Sequence, residues 1–67
     1  MYLYVIQNAI TIANLSNVSI TLTFPEKLLF YNDSLILSEV YPLNAKVLVT
    51  VSDRITIKRE GNKIIII

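Results

Sequence analysis

The dipeptide Gly61-Asn62 stands between two β-branched runs, and four consecutive isoleucines, Ile64 to Ile67, follow it. A two-residue loop with glycine first meets the requirement of a type II′ turn, because glycine takes a positive φ there at no steric cost. That turn pairs Glu60 with Lys63, Arg59 with Ile64, Lys58 with Ile65, Ile57 with Ile66 and Thr56 with Ile67. One face of the hairpin then carries Ile55, Ile57, Ile64 and Ile66, with Arg59 at the rim. The other carries Thr56, Lys58, Ile65 and Ile67, with the opposite charges Glu60 and Lys63 facing each other. The second strand is thus apolar on both sides. Burying an isoleucine is worth roughly 1.5–3 kcal/mol, and a domain of this size retains about 3–5 kcal/mol net. A half-exposed isoleucine strand is also a template for aggregation. Its second face requires a cover.

Sixty-seven residues make one domain, spanning 1–67. The apolar fraction is 54% and the charged fraction 16%, against about a quarter charged in an average globular chain. There is no cysteine and no histidine, hence no disulfide and no ordinary ligand set for a structural zinc. Association with other chains is the staple that remains for so small a core. The net charge is +1, from six basic and five acidic residues, which argues against a polyanionic partner such as nucleic acid.

No charged residue occurs before Glu26. A membrane span is nonetheless not indicated, because Gln7, Asn8, Asn14 and Asn17 interrupt the stretch and its second half alternates with period two. It also lacks the basic start and cleavage pattern of a signal peptide. Residues 1–13 read as one long strand, or two short ones with a kink near Gln7-Asn8. Residues 14–17 read as a turn that sets Ile12 opposite Ile20 and Ile10 opposite Leu22. In residues 18–24, Val18, Ile20, Leu22 and Phe24 alternate with Ser19, Thr21 and Thr23, the mark of a half-buried strand. Pro25 is expected to stop it. Residues 26–31 fit a strand or a helical turn, and a strand is preferred. Asn32-Asp33-Ser34 has turn chemistry. Residues 35–40 form a further strand, ended by a turn at residues 41–44. Residues 45–51 then pair through a loop at residues 52–54 with the terminal hairpin, so that Val47, Val49 and Val51 join its isoleucine face. On the reverse of this meander Lys46, Glu60 and Lys63 align, with Leu48, Lys58, Ile65 and Ile67 beside them. Six to seven short antiparallel strands read as an all-β domain, a small sandwich or barrel ending in a β-hairpin.

Catalysis finds little purchase in this composition. The carboxylates Glu26, Asp33, Glu39, Asp53 and Glu60 fall at predicted turns or strand ends, with no spacing that pairs two of them as acid and base. No pocket of about 300 Å³ or more is expected within one subunit. No catalytic residue, cofactor, small-molecule substrate or metal site is indicated. Asn32-Asp33-Ser34 offers oxygens without a second ligand cluster. Lys46, Arg54, Lys58, Arg59 and Lys63 gather in the second half, which suits phosphate contact or the blunting of strand edges. Three Asn-x-Ser acceptor patterns begin at Asn14, Asn17 and Asn32; modification there would belong to a virion or extracellular surface rather than the cytoplasm. The run Arg54-Ile55-Thr56-Ile57 resembles the short strands of swapped-hairpin transcription regulators, but no proline-led helix follows it and no residue role carries over.

The expectation is therefore a non-enzymatic structural subunit that packs against itself as a homo-oligomer or against a larger assembly. Its most concrete form is a viral coat, cement or surface-filament component. The interface would use Leu48, Lys58, Ile65 and Ile67. The alternative is a small nucleic-acid-binding or regulatory β-barrel that uses Lys46, Lys58, Arg59 and Lys63.

Overall fold

A computed structural model describes residues 1–67. One helix, α1 (Tyr2–Ser16), precedes six strands: β1 (Ile20–Tyr31), β2 (Ser34–Ile36), β3 (Val40–Pro42), β4 (Lys46–Val47), β5 (Val51–Glu60) and β6 (Lys63–Ile66). They form a single sheet in the order β3-β2-β1-β5-β6-β4. The domain is rich in strands but not all-β, and it has one mixed sheet with a helix where two packed sheets or a barrel had been expected.

The terminal hairpin follows its turn chemistry. Gly61 has φ 65°, and Glu60, Arg59, Lys58 and Ile57 stand opposite Lys63, Ile64, Ile65 and Ile66. Thr56 and Ile67 exchange both backbone hydrogen bonds, at 2.8 and 3.0 Å. A Cβ at residue 61 would meet no atom within 4 Å, so conformation rather than space demands the glycine. The β1–β2 connection is equally local. Asn32 and Asp33 have φ 51° and 59°, the two positive values of a type I′ turn, and both residue types tolerate them.

Residues 2–16 are helical, not extended. Ile6, Ala9, Ile10 and Ala13 are buried at the i, i+3, i+4, i+7 spacing of a helix face, with Tyr2 and Leu3 packed beside them. Two alanines in that stripe let the helix backbone approach the sheet. The residues expected in a turn instead end the helix: Asn17, at φ 52° and ψ 45°, is its left-handed cap and its N–H donates to the Ala13 carbonyl. The expected pairing of Ile12 with Ile20 does not exist. Ile20 lies opposite Ile57, and Leu22 opposite Ile55. Val18 precedes the strand and is exposed.

Neither end of α1 carries a complementary charge of its own, and distant residues make contacts at both ends. At the N-terminus the Tyr2 hydroxyl donates to Glu26 Oε2 at 2.9 Å, and the Tyr2 ring meets Phe24 edge-on at 5.2 Å. At the C-terminus Arg59 donates from its guanidinium to the Asn14 carbonyl at 2.8 Å. A cation at the negative end favours the helix dipole.

Pro25 does not end β1. Between the pairs Thr23–Arg54 and Leu28–Ser52 the register shifts, so that residues 24–27 bulge against Asp53 alone. A bulge frees the proline from donating to the ladder. On the other strand the Arg54 N–H donates to Ser52 Oγ at 3.0 Å, and the Ser52 hydroxyl donates to the Arg54 carbonyl at 2.6 Å. Residues 52–54, expected as a loop, are thereby held inside β5.

Three further expectations need correction. Tyr41 and Pro42 belong to β3, not to a turn. Of residues 45–51, only Lys46 and Val47 form a strand, and it pairs parallel to β6, with Lys46 opposite Ile65 and Val47 opposite Ile66. Val51 belongs to β5 and is exposed, whereas Val47 and Val49 pack against the core.

β3 and β4 occupy opposite edges of the sheet, yet only residues 43–45 join them. Four Cα steps reach about 15 Å at most, while the edges of a flat six-stranded sheet lie about 24 Å apart. The sheet must coil until its edges approach. Asp33 stitches them together: its carbonyl accepts the Leu43 N–H at 3.0 Å, and its Oδ1 accepts the Val47 N–H at 2.9 Å. The inner side of the coil holds Phe24, Leu28, Phe30, Leu35, Ile55, Ile57, Ile64 and Ile66, and α1 lies against β5 and β6.

Asp33→Ala is expected to cost about 1–2 kcal/mol, the loss of a charge-assisted hydrogen bond, and to speed exchange of the Val47 amide. Asp33→Asn, which keeps an acceptor oxygen and the tolerated φ, should lose less; urea unfolding and amide exchange measure both. A second expectation concerns Tyr2, whose phenol is held above its ordinary value of 10.0 by the hydrogen bond to Glu26, with desolvation and the nearby carboxylate charge adding to it. The folded state binds that proton more tightly than the unfolded state. The stabilisation is complete below pH 10.0 and is lost as pH rises through the raised folded value. In Glu26→Gln the Tyr2 absorbance titration should move down towards that of free tyrosine.

Candidate interaction surface

The total surface of 4404 Å² is close to the roughly 4,300 Å² that size scaling gives for a folded monomer of 7.6 kDa. Its composition is the anomaly. Exposed large apolar side chains gather on the two opposite sides of the helix–sheet layer.

The first side is the sheet face turned away from α1. Lys46, Ile65 and Lys58 lie in one row across β4, β6 and β5. Leu48, whose N–H bonds the Ile66 carbonyl, extends the row's β4 end, and Ile67 lies beside Thr56. Leu48, Lys58, Ile65 and Ile67 are thus brought onto one face. Ile65 and Lys58 are half-buried, and Leu48 and Ile67 are 58% and 46% exposed. Thr21 and Thr56 share a hydroxyl hydrogen bond of 3.0 Å on the same face. Glu60 does not bind its cross-strand neighbour Lys63 but pairs with Lys58 at 3.2 Å.

A second row on that face was not anticipated. Val40 stands opposite Ile36, Ile36 opposite Leu29, and Leu29 opposite Val51. Four strands so contribute an unbroken apolar row, of which Val40 is 63%, Val51 53% and Leu29 44% exposed. Tyr31, two residues along β1 from Leu29, is exposed beside it. The strand character of residues 26–31 was legible. The partner strands were not, because they are set by the bulge opposite Asp53.

Two edge positions are unavailable for strand addition: on β3, Pro42 has no N–H to offer, and on β4 the outward Val47 N–H is taken by Asp33.

The second side is the outer face of α1. Tyr4, Val5, Ile12 and Leu15 are exposed there with Met1, and the helix carries no charged side chain.

Three ionisable residues hold structural posts. Glu26 accepts from Tyr2, Asp33 from Val47 and Leu43, and Arg59 caps α1. No cluster of three or more carboxylates stands ready for a metal ion. An open groove of about 400 Å³ does lie between the end of α1, the β3–β4 connection and the hairpin turn, larger than expected for one subunit. Asn14, Asn44, Asn62, Lys46 and Lys63 line it with no carboxylate. Of the three acceptor asparagines, Asn14 lies in the last helical turn, Asn17 is the helix cap and Asn32 is a turn residue. Ser34, the hydroxyl of the third pattern, is buried and donates to the Asn32 carbonyl at 3.3 Å.

No helix is long and apolar enough to cross a membrane. No protein-family model, curated protein or solved structure matches the chain.

The two faces of β6 should respond differently to truncation. Ile66→Ala, at a fully buried position, is expected to cost about 2–5 kcal/mol. Ile65→Ala, on the open face, should cost the subunit fold about 1 kcal/mol or less. Urea melts of the two variants, compared at a protein concentration low enough to suppress association, test the assignment.

Proposed function

We propose that this chain is a non-enzymatic assembly module, a small subunit that packs against copies of itself or into a larger protein assembly. The observation that carries the reading is the apolar row Val40–Ile36–Leu29–Val51 on the open sheet face. Contiguous exposed apolar rows of this kind mark interaction sites on soluble domains. Leu48, Ile65 and Ile67 extend the same face, with Lys58 tied to Glu60 between them. Adhesive surfaces on opposite sides of one layer suit propagation in two directions, as in a coat, cement or surface-filament subunit on a virion or cell exterior. The carboxylates support a structural role, since Glu26, Asp33 and Glu60 each hold a fold contact.

One arrangement favours a second reading. Lys46 and Lys58 share a row on the open face, with Arg54 further along β5, as a nucleic-acid-binding sheet would require. Arg59, however, is committed to the helix terminus. Binding of single-stranded DNA or RNA that weakens steeply with salt would favour this reading.

Light scattering over a concentration series should show mass above one chain for the natural sequence. Leu29→Lys and Ile65→Asp should lower that mass with circular dichroism unchanged, whereas Ile66→Asp, which buries an unpaired charge, should unfold the subunit. A natural chain that stays monomeric at every concentration would overturn self-packing.

A further inference from the structure

The outer stripe of α1 has a register of its own. Met1, Tyr4, Val5, Asn8, Ile12 and Leu15 fall within roughly 100° of the helix circumference at about 100° per residue, nearly opposite the buried stripe Ile6, Ala9, Ile10 and Ala13. All six are exposed. Apart from Val5, which falls on the exposed Thr11, the stripe is symmetric about Asn8. Reversing the helix about that residue places Met1 on Leu15, Tyr4 on Ile12 and Asn8 on itself, the self-complementarity that a two-fold contact demands.

We infer that α1 pairs antiparallel with α1 of a second copy, on a two-fold axis at Asn8. The inference rests on the assembly reading and names one partner and one contact for it. Three observations select this occupant. Residues 2–16 contain no charge, so a partner chosen by charge has nothing to recognise, whereas an identical neutral stripe is matched along its whole length. At the axis the one strongly polar residue of the stripe meets its own copy, and a carboxamide donates and accepts at once, so the two Asn8 side chains satisfy each other. A single polar pair in an apolar seam also fixes its register. The antiparallel sense follows from the dipoles, which oppose head to tail, with no side-chain charge to override them. A lipid surface fits less well, because helices that lie on anionic membranes carry lysine or arginine on their polar side.

Two 15-residue helices cover less than the roughly 1,200–2,000 Å² of a permanent interface. An interface of that size is transient, so the pair is expected to form in proportion to concentration.

The chain lacks cysteine, so single-cysteine variants report the axis without background. Under mild oxidation Asn8→Cys should form a covalent dimer, because only a residue on the axis meets its own copy within disulfide reach. Val5→Cys and Gln7→Cys, the second on an exposed part of the helix away from the stripe, should each cross-link at least tenfold more slowly. A mixture of Tyr4→Cys and Ile12→Cys chains, whose residues face each other across the axis, should yield the mixed dimer faster than either alone. Ile12→Glu, exposed and therefore compatible with the fold, should lower the mass seen by light scattering and slow the Asn8→Cys cross-link at least tenfold when the two are combined. Rapid self-linking of Val5→Cys would replace the antiparallel register with a parallel one and overturn the inference. Failure of Asn8→Cys to cross-link, while Leu29→Lys still lowers the native mass, would overturn the helix pair and leave the assembly reading standing. A chain that is monomeric throughout overturns both. Binding to anionic-lipid vesicles that Ile12→Glu abolishes, with no cross-link at residue 8, would assign the stripe to a membrane surface instead.

Discussion

The three-residue connection between β3 and β4 is the constraint on which the rest of this structure depends. It ties strands at opposite edges of a six-stranded sheet, which is geometrically possible only if the sheet coils. Coiling gives one chain of 67 residues a concave side on which a helix and four strands can bury Phe24, Leu28, Phe30, Leu35 and the four inward isoleucines together. The two hydrogen bonds that Asp33 accepts from the Leu43 and Val47 N–H groups hold that curvature at its open end. A flat sheet of the same strands would leave β2 and β3 without access to the core.

The helix owes its place to this geometry more than to its own propensity. It is rich in β-branched and amide residues, lacks a side-chain cap at its start, and carries no charge to favour either end, so in isolation it would be marginal. Tertiary contacts supply what the local sequence lacks: the buried stripe against β5 and β6, the Tyr2–Glu26 and Tyr2–Phe24 contacts at one end, and Arg59 at the other. A residue 45 positions away caps the final turn, a reminder that capping arguments need not be local.

Coiling also has a cost at the surface. With one helix and one sheet, only one side of each is covered, and the apolar fraction of 54% exceeds what the concave side can hold. The surplus appears on the convex sheet face and the outer helix face. At the edges, Pro42 offers no N–H and the Val47 N–H is already bound by Asp33.

What the sequence alone determined is local. Gly61-Asn62 set the terminal hairpin and its register residue by residue, Asn32-Asp33 set the second turn, and the outward placement of Lys58, Ile65 and Ile67 followed from period two. These features depend on backbone preferences within a few residues. The identity of residues 2–16 was decided only in the folded chain. Their helical stripe, Ile6, Ala9, Ile10 and Ala13, was hidden because Tyr4, Val5, Ile12 and Leu15 put apolar residues on the opposite side as well, which blurs a single helical period. Strand pairing was likewise tertiary. β1 pairs with β5 across a bulge, and β4 runs parallel to β6, because the inward isoleucines of β5 and β6 are best covered by Ile20, Leu22 and the helix. Only the burial of one chain's apolar side chains against one another, over separations of tens of residues, chooses between such arrangements, and nothing in the local pattern of residues records that choice.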